Sequence, residues 1–336
     1  MKREYWVDQV KILACIIVAF GHLFESMVKS GILADTFFIK CFDMIAHYSA
    51  VQLFFICSGY LYQKNSVVNS ISSWKENIVR KLIVIGIPYF VFSIATWLMK
   101  SISPANVNDQ NRELFDSLFV HPIGQYWYLY ILFFIFLITP TLQDKRMVIL
   151  AVAIAFVLKL IAILSGNLIQ NYLIGNLINN EFWFVLGMLL CLQKPGILSD
   201  KKSGIILLIV LVFVSAAVTG KSRHPLLVLA LEFLICISVL MIFRENKPKP
   251  MDGLIAYTMP IYLLHTICAA VIRTVLFRLG TSNHVIHIIF GGLASIVGPI
   301  IIMALLERLH LDFLVYPNRL FKKVKRNQEQ EQRKER

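Results

Sequence analysis

The first residues able to do chemistry lie inside an apolar run. Asp8, Lys11, Cys15 and His22 supply a carboxylate, an ammonium, a thiol and an imidazole within it. As a helix, with 100° between residues, the run would place all four within about 60° of one another, as one polar stripe. Lys11 and His22 are eleven residues apart, roughly 16 Å along the axis at 1.5 Å per residue. An imidazole can take a proton from a hydroxyl at neutral pH, with a carboxylate such as Asp8 as a further acid–base candidate. An ammonium can hold an anion. The plainer reading of His22 and Lys11 is hydrogen bonding between helices, but ionisable groups in hydrocarbon usually face a cavity and carry function.

The elements that position this stripe must be membrane spans. The chain is 57% hydrophobic and 16% charged, with a mean hydropathy of +0.69; a soluble chain carries about 25% charged residues. Apolar runs of about twenty residues recur. The expected fold class is all-α: a polytopic transmembrane bundle of about ten spans, at residues 6–28, 43–62, 81–99, 125–142, 147–165, 181–193, 203–219, 225–243, 254–277 and 285–306. The sixth is short and tilts or begins earlier. Lys2 and Arg3 before an apolar run suggest a signal peptide, but Asp8 and Lys11 interrupt the run and no small-residue cleavage site follows, so a retained helix is expected.

Charge orients the bundle. With the N-terminus in the cytoplasm, 23 of the 33 basic residues fall on inner segments and eight on outer ones, which places both termini inside. The division is residues 1–307 as the transmembrane domain and 308–336 as a basic cytoplasmic tail that can touch anionic lipid. The net charge of +13 is explained by this bias, so no nucleic-acid partner is expected; the partner is the bilayer. The six cysteines lie in or beside apolar segments without metal-ligand spacing, and buried thiols and no metal site are expected. Residues 65–80 can form an amphipathic helix on the inner surface, and the outer loop 101–125 either covers an opening or merely connects. Lys159 and Glu232 lie near mid-depth and can pair as structure. Glu307 is read as capping or solvation at a helix end. Gly291 and Gly292 allow close helix packing.

Three further stretches join the first. Val51 to Leu61 closes the second span with Phe54-Phe55 and Ser58-Gly59-Tyr60. Gln125-Tyr126-Trp127-Tyr128-Leu129-Tyr130 opens the fourth. Ile261-Tyr262-Leu263-Leu264-His265 lies in the ninth. This ordered set, over Tyr5 to Glu307, resembles the membrane-bound acyltransferase 3 family, the bacterial O-acyltransferases of surface glycans. Lys11 and His22 fit its basic residue followed after ten positions by histidine. Gln52 stands where the family often has proline, and Gln125 near where it often has histidine. The esterase-like domain of some members has no counterpart here.

The resemblance implies transfer of an acyl group, most simply acetyl, from cytoplasmic acetyl-CoA or another acyl-CoA to a hydroxyl of an extracytoplasmic or lipid-linked glycan, in the bacterial plasma membrane. Acyl-CoA would be a donor substrate, not a resident cofactor. His22 and Asp8 are the catalytic candidates. Lys11, Ser58, Gly59 and Tyr60 are the donor-binding candidates; Gly59 would let a ligand or a helix approach closely. His47, Trp127 and His265 are the acceptor-binding candidates, His265 equally readable as a satisfied buried histidine. Polysaccharide export or proton-coupled transport on the same fold is the alternative, for which inverted repeats and broken helices would be expected. The sequence has no internal repeat.

Overall fold

A computed structural model describes residues 3–102, 111–166, 169–193, 200–219, 224–245 and 247–320. Among them there are helices and no strand. The helices are α1 (Tyr5–Lys29), α2 (Phe37–Asn65), α3 (Ile71–Lys81), α4 (Ile87–Ile102), α5 (Trp127–Ile138), α6 (Lys145–Leu164), α7 (Tyr172–Cys191), α8 (Lys201–Val218), α9 (Pro225–Phe243), α10 (Thr258–Arg278) and α11 (His284–Arg308). Nine stretches are long and apolar enough to cross a membrane, and the shorter apolar helix at Gly124–Ile138 makes the tenth element. The protein is a multi-pass helical membrane bundle. The sixth span begins at Tyr172, nine residues before the hydropathy reading placed it. Its first turns carry Asn176, Asn179 and Asn180, which lower the local hydropathy.

Helix starts follow local chemistry. Thr36, Asp144, Asn171, Asp200 and Asn283 each accept a backbone N–H of the first turn through a side-chain oxygen, as N-caps do. The amphipathic segment is α3, capped reciprocally by Ser70 and Ser73. It does not lie apart from the bundle. It continues into α4 through a π-helical turn at Leu82–Gly86. Pro88 explains that turn: it has no N–H for the carbonyl four residues back, and its ring crowds that carbonyl.

α2 is the central helix, and most of its apolar stretch is buried. Its tightest neighbour is α7. A Cβ on Gly59 would lie 1.9 Å from the Phe184 carbonyl oxygen, and a Cβ on Gly187 would lie 2.0 Å from that of Ile56. Two glycines therefore let two backbones touch, the packing that membranes favour when lipid is as apolar as any side chain. Around this crossing Phe55, Tyr62, Tyr126, Trp183 and Phe184 are fully buried. α6 and α8 lie at the rim and expose most of their apolar surface.

Contacts at the ends show which termini share a face. Where α1 starts, Lys64 at the end of α2 pairs with Glu4, and Gln9 donates to the Lys247 carbonyl at 2.8 Å and to Asp252 at 2.9 Å. Where α1 stops, Arg273 near the end of α10 donates to the Ser26 hydroxyl. On that second face the described part of the 101–125 loop is tied down by Tyr89 and Tyr130, whose hydroxyls donate to the Leu118 and Phe119 carbonyls at 2.6 Å each. There a hydrogen bond from His121 holds the Asp116 carboxyl below the usual carboxylate range.

The segment after α11 is not wholly solvated up to Leu320. Val315 is buried, the Tyr316 hydroxyl donates to the Ala256 carbonyl at 2.6 Å, and Arg319 bridges Glu307 and Asp312 at 2.6 and 2.8 Å. Residues 321–336, with the four basic residues of the tail from Lys322 to Arg326, lie outside the described residues.

Candidate functional site

α1 carries the polar stripe as one unbroken helix, so the rise of roughly 16 Å between Lys11 and His22 holds. The stripe is not used evenly along its length. The Cys15 thiol is buried and donates to the Thr258 carbonyl at 3.5 Å, which ties α1 to the start of α10. Asp8 pairs with Arg3 at 3.1 Å. Asp8 is fourteen residues from His22, roughly 21 Å along the helix. The two catalytic candidates, Asp8 and His22, therefore stand at opposite ends of the stripe.

His22 has another carboxylate. Its Nδ1 lies 3.3 Å from Glu25 Oε2, and Glu25 Oε1 lies 3.0 Å from the Lys29 ammonium. A carboxylate accepts, so Nδ1 carries a proton and donates it to Glu25. The spacing from His22 to Glu25 is i,i+3, which places two side chains on one helix face. That signal was present in the sequence beside the motif.

Opposite His22 stands His265. The two rings stack with centroids 5.5 Å apart and planes 28° apart. His265 is buried, and its Nδ1 lies 2.9 Å from the Ile261 carbonyl and 3.0 Å from that of Tyr262. Carbonyls accept only, so here too Nδ1 bears the proton. His265 Nε2 is buried with no partner among the described residues. Two imidazoles thus meet, one about one-third exposed and one buried, each with its Nδ1 committed.

The third motif holds α10 in place. Gln125 donates to Thr266 Oγ1 at 2.9 Å and to the Leu263 carbonyl at 3.3 Å. Tyr126 donates to the same carbonyl at 2.9 Å, and Tyr262 donates back to the Gln125 carbonyl. Gln125 and Tyr126, not Trp127, reach the His265 turn. Trp127 packs near the Phe55 ring, with centroids 6.4 Å apart. The side chain of His47 lies outside the described residues.

The second motif faces several ways. Ser58 shares a hydrogen bond of 2.9 Å with Tyr128. Gly59 gives its space to the backbone of α7 at Phe184. Tyr60 lies edge-on to Trp6 at 4.7 Å, and the guanidinium of buried Arg244 lies 5.2 Å from the Trp6 ring and 6.0 Å from that of Tyr60.

Lys11 is not alone. The Lys81 ammonium sits 3.7 Å above the Phe136 ring and 5.5 Å from that of Tyr62. It lies within electrostatic reach of Arg80 and Lys11 as like charges. Neither Lys11 nor Lys81 pairs with a carboxylate among the described residues. Lys11 and Lys81 thus share the α1-start side, with Asp8 one turn before Lys11 on the same helix face. Sequence reasoning counted Lys81 only toward membrane orientation. Its proximity to Lys11 arises from packing between segments seventy residues apart.

A polytopic helical bundle thus carries a stacked histidine pair toward the end of α1 and half-buried Lys11 and Lys81 toward its start. A protein-family model for an acyltransferase domain, acyltransferase 3, matches residues 4–304. The chain belongs to that family of membrane acyltransferases. No curated protein and no solved structure matches it.

Proposed function

We propose that this protein is a bacterial plasma-membrane O-acyltransferase, most simply an O-acetyltransferase. It would move the acyl group of cytoplasmic acyl-CoA to a hydroxyl of an extracytoplasmic or lipid-linked glycan. The observation that carries this reading is the His22–His265 stack with Glu25 on His22 Nδ1. His22 Nε2 takes the proton of the acceptor hydroxyl while its oxygen bonds to the thioester carbonyl carbon. The carbon–sulfur bond then breaks, and the imidazolium returns the proton to the leaving thiolate. The products are an ester and the free thiol of coenzyme A. His265 Nε2, buried beside the His22 ring and without a partner among the described residues, would be the atom that hydrogen-bonds the acceptor. Lys11, Lys81 and Arg80 fit the phosphates of the donor, and the charge bias of the loops supports this end as cytoplasmic. The rise of roughly 16 Å between Lys11 and His22 is comparable to an extended pantetheine arm.

The test is acetyl transfer from radiolabelled acetyl-CoA to a membrane glycan extract by the purified protein in lipid. Label in the glycan supports the reading. No transfer over several donors and extracts, with glycan export in vesicles instead, would overturn it.

Two variants separate the parts. Lys81→Met keeps the aliphatic stem and removes the charge. It is expected to raise the KM for acyl-CoA by roughly tenfold or more, the worth of one charge-assisted contact. A fall in kcat at unchanged KM would remove Lys81 from the donor site. Glu25→Ala is expected to lower kcat by roughly tenfold with donor KM unchanged, because it frees the His22 ring to turn. The effect is modest because the Glu25 and His22 side chains are 46% and 33% exposed, where water screens the pair. Unchanged kcat would leave Glu25 as Lys29's partner alone.

A further inference from the structure

A cavity of about 330 Å³ lies between α6 and α7. It arises because α5 stops at Ile138 after twelve residues. That helix rises roughly 18 Å, against about 30 Å of hydrocarbon in a bilayer. Thr139 and Pro140 then leave the helix, and the space beyond is bounded by Ala151 and Ala155 of α6 and by Val185 and Met188 of α7. On the rim, Ile138, Ile154 and Leu158 are 57%, 53% and 45% exposed, so the opening faces the bilayer rather than either aqueous side.

Two polar groups interrupt these apolar walls. Thr139 Oγ1 donates to Glu181 Oε1 at 2.7 Å. Glu181 Oε2 is buried and has no hydrogen-bond partner among the described residues. Among the described residues no cation lines the cavity. A charged headgroup brought here would lack a counter-charge in hydrocarbon, and a plain alkyl chain would leave Oε2 unsatisfied, a cost a hydrogen bond removes. A hydroxyl both donates and accepts, so it satisfies that oxygen in either protonation state. The walls from Val148 to Leu158 run ten residues along α6, roughly 15 Å. At about 30 Å³ for each water-sized group, the space takes roughly ten methylenes.

We propose that the α6–α7 cavity binds an uncharged long-chain alcohol drawn from the bilayer, with its chain along α6 and its hydroxyl hydrogen-bonded to Glu181 Oε2. The site is separate from the histidine pair and does not depend on the reaction proposed for it.

The probe is a long-chain alcohol carrying a photoreactive diazirine, added to the full chain in lipid nanodiscs, with labelled peptides mapped by mass spectrometry. Saturable labelling of α6 and α7 is expected. An unlabelled alcohol should displace it about tenfold better than an alkane of equal length, the worth of one hydrogen bond. Ala155→Phe should abolish labelling by filling the cavity. Glu181→Leu should keep labelling and lose the preference for alcohol, and Glu181→Gln should keep both. If Ala155→Phe fails to fold, the two Glu181 variants still decide the matter. Non-saturable label spread over α8 as well would mean bulk lipid only and would overturn the site. Equal competition by the alkane, or preferential displacement by phospholipid, would overturn the assignment of its ligand.

Discussion

Replacing His22 with alanine is expected to lower kcat for acyl transfer by roughly a hundredfold to ten-thousandfold, the range that a positioned general base contributes. The prediction rests on three constraints acting on one ring. Glu25 accepts from Nδ1, so Nε2 is the ring nitrogen left to face a substrate. The His265 ring fixes the plane. The side chain is one-third exposed, so a substrate can reach it. The donor KM should change little, because the cation cluster lies nearly three turns away along α1. The measurement is single-turnover transfer of labelled acetyl groups by native and His22→Ala protein of equal insertion and equal thermal stability. Equal rates would keep the family's chemistry and move the base elsewhere. A raised donor KM with unchanged kcat would turn His22 into a binding residue.

The second large effect is on the bundle itself. Gly59→Ala and Gly187→Ala each introduce a Cβ within about 2 Å of a carbonyl oxygen on the facing helix. Ordinary overpacking costs about 1–3 kcal/mol because side chains can turn aside. A backbone cannot turn aside, so α2 and α7 must separate, and the cost is expected at or above the upper end of that range. Against a net stability of about 5–15 kcal/mol this is a large fraction. A melting temperature lower by about 6 °C or more in detergent is expected. Gly253→Ala is the control, since nothing lies within 4 Å of its added Cβ. Indistinguishable melting of all three variants would refute the crossing. The same experiment bears on the Ser58-Gly59-Tyr60 motif. If folded Gly59→Ala protein keeps its donor KM, the glycine serves helix contact and no ligand.

Much of this architecture was legible in the sequence because the bilayer imposes one simple rule. Every backbone polar group must be satisfied inside the segment, so a long apolar run can only be a helix. Length and hydropathy therefore give the spans. The rule weakens where polar residues enter a span. The start of α7 shows it: its asparagines lower the hydropathy and shorten the apolar run, although Asn176 and Asn180 simply bond back to carbonyls one turn earlier, and the span begins earlier, as its short length suggested. The π-helical turn before Pro88 was invisible, because hydropathy does not register how a helix absorbs a missing donor.

The sequence by itself determined the class of protein, the spans and the polar stripe of α1, including both lysine and histidine. It also held the i,i+3 spacing of His22 and Glu25, since neighbours on one helix are fixed by the helical repeat. Only the tertiary structure decided which helices meet. It set His265 of α10 against His22 of α1 and brought Lys81 toward Lys11. It also opened a cavity where α5 stops short. The physical reason is that helix pairing within lipid follows from small residues and close packing rather than from a hydrophobic pattern. Gly59 and Gly187 carry no mark in the sequence of which partner each will meet.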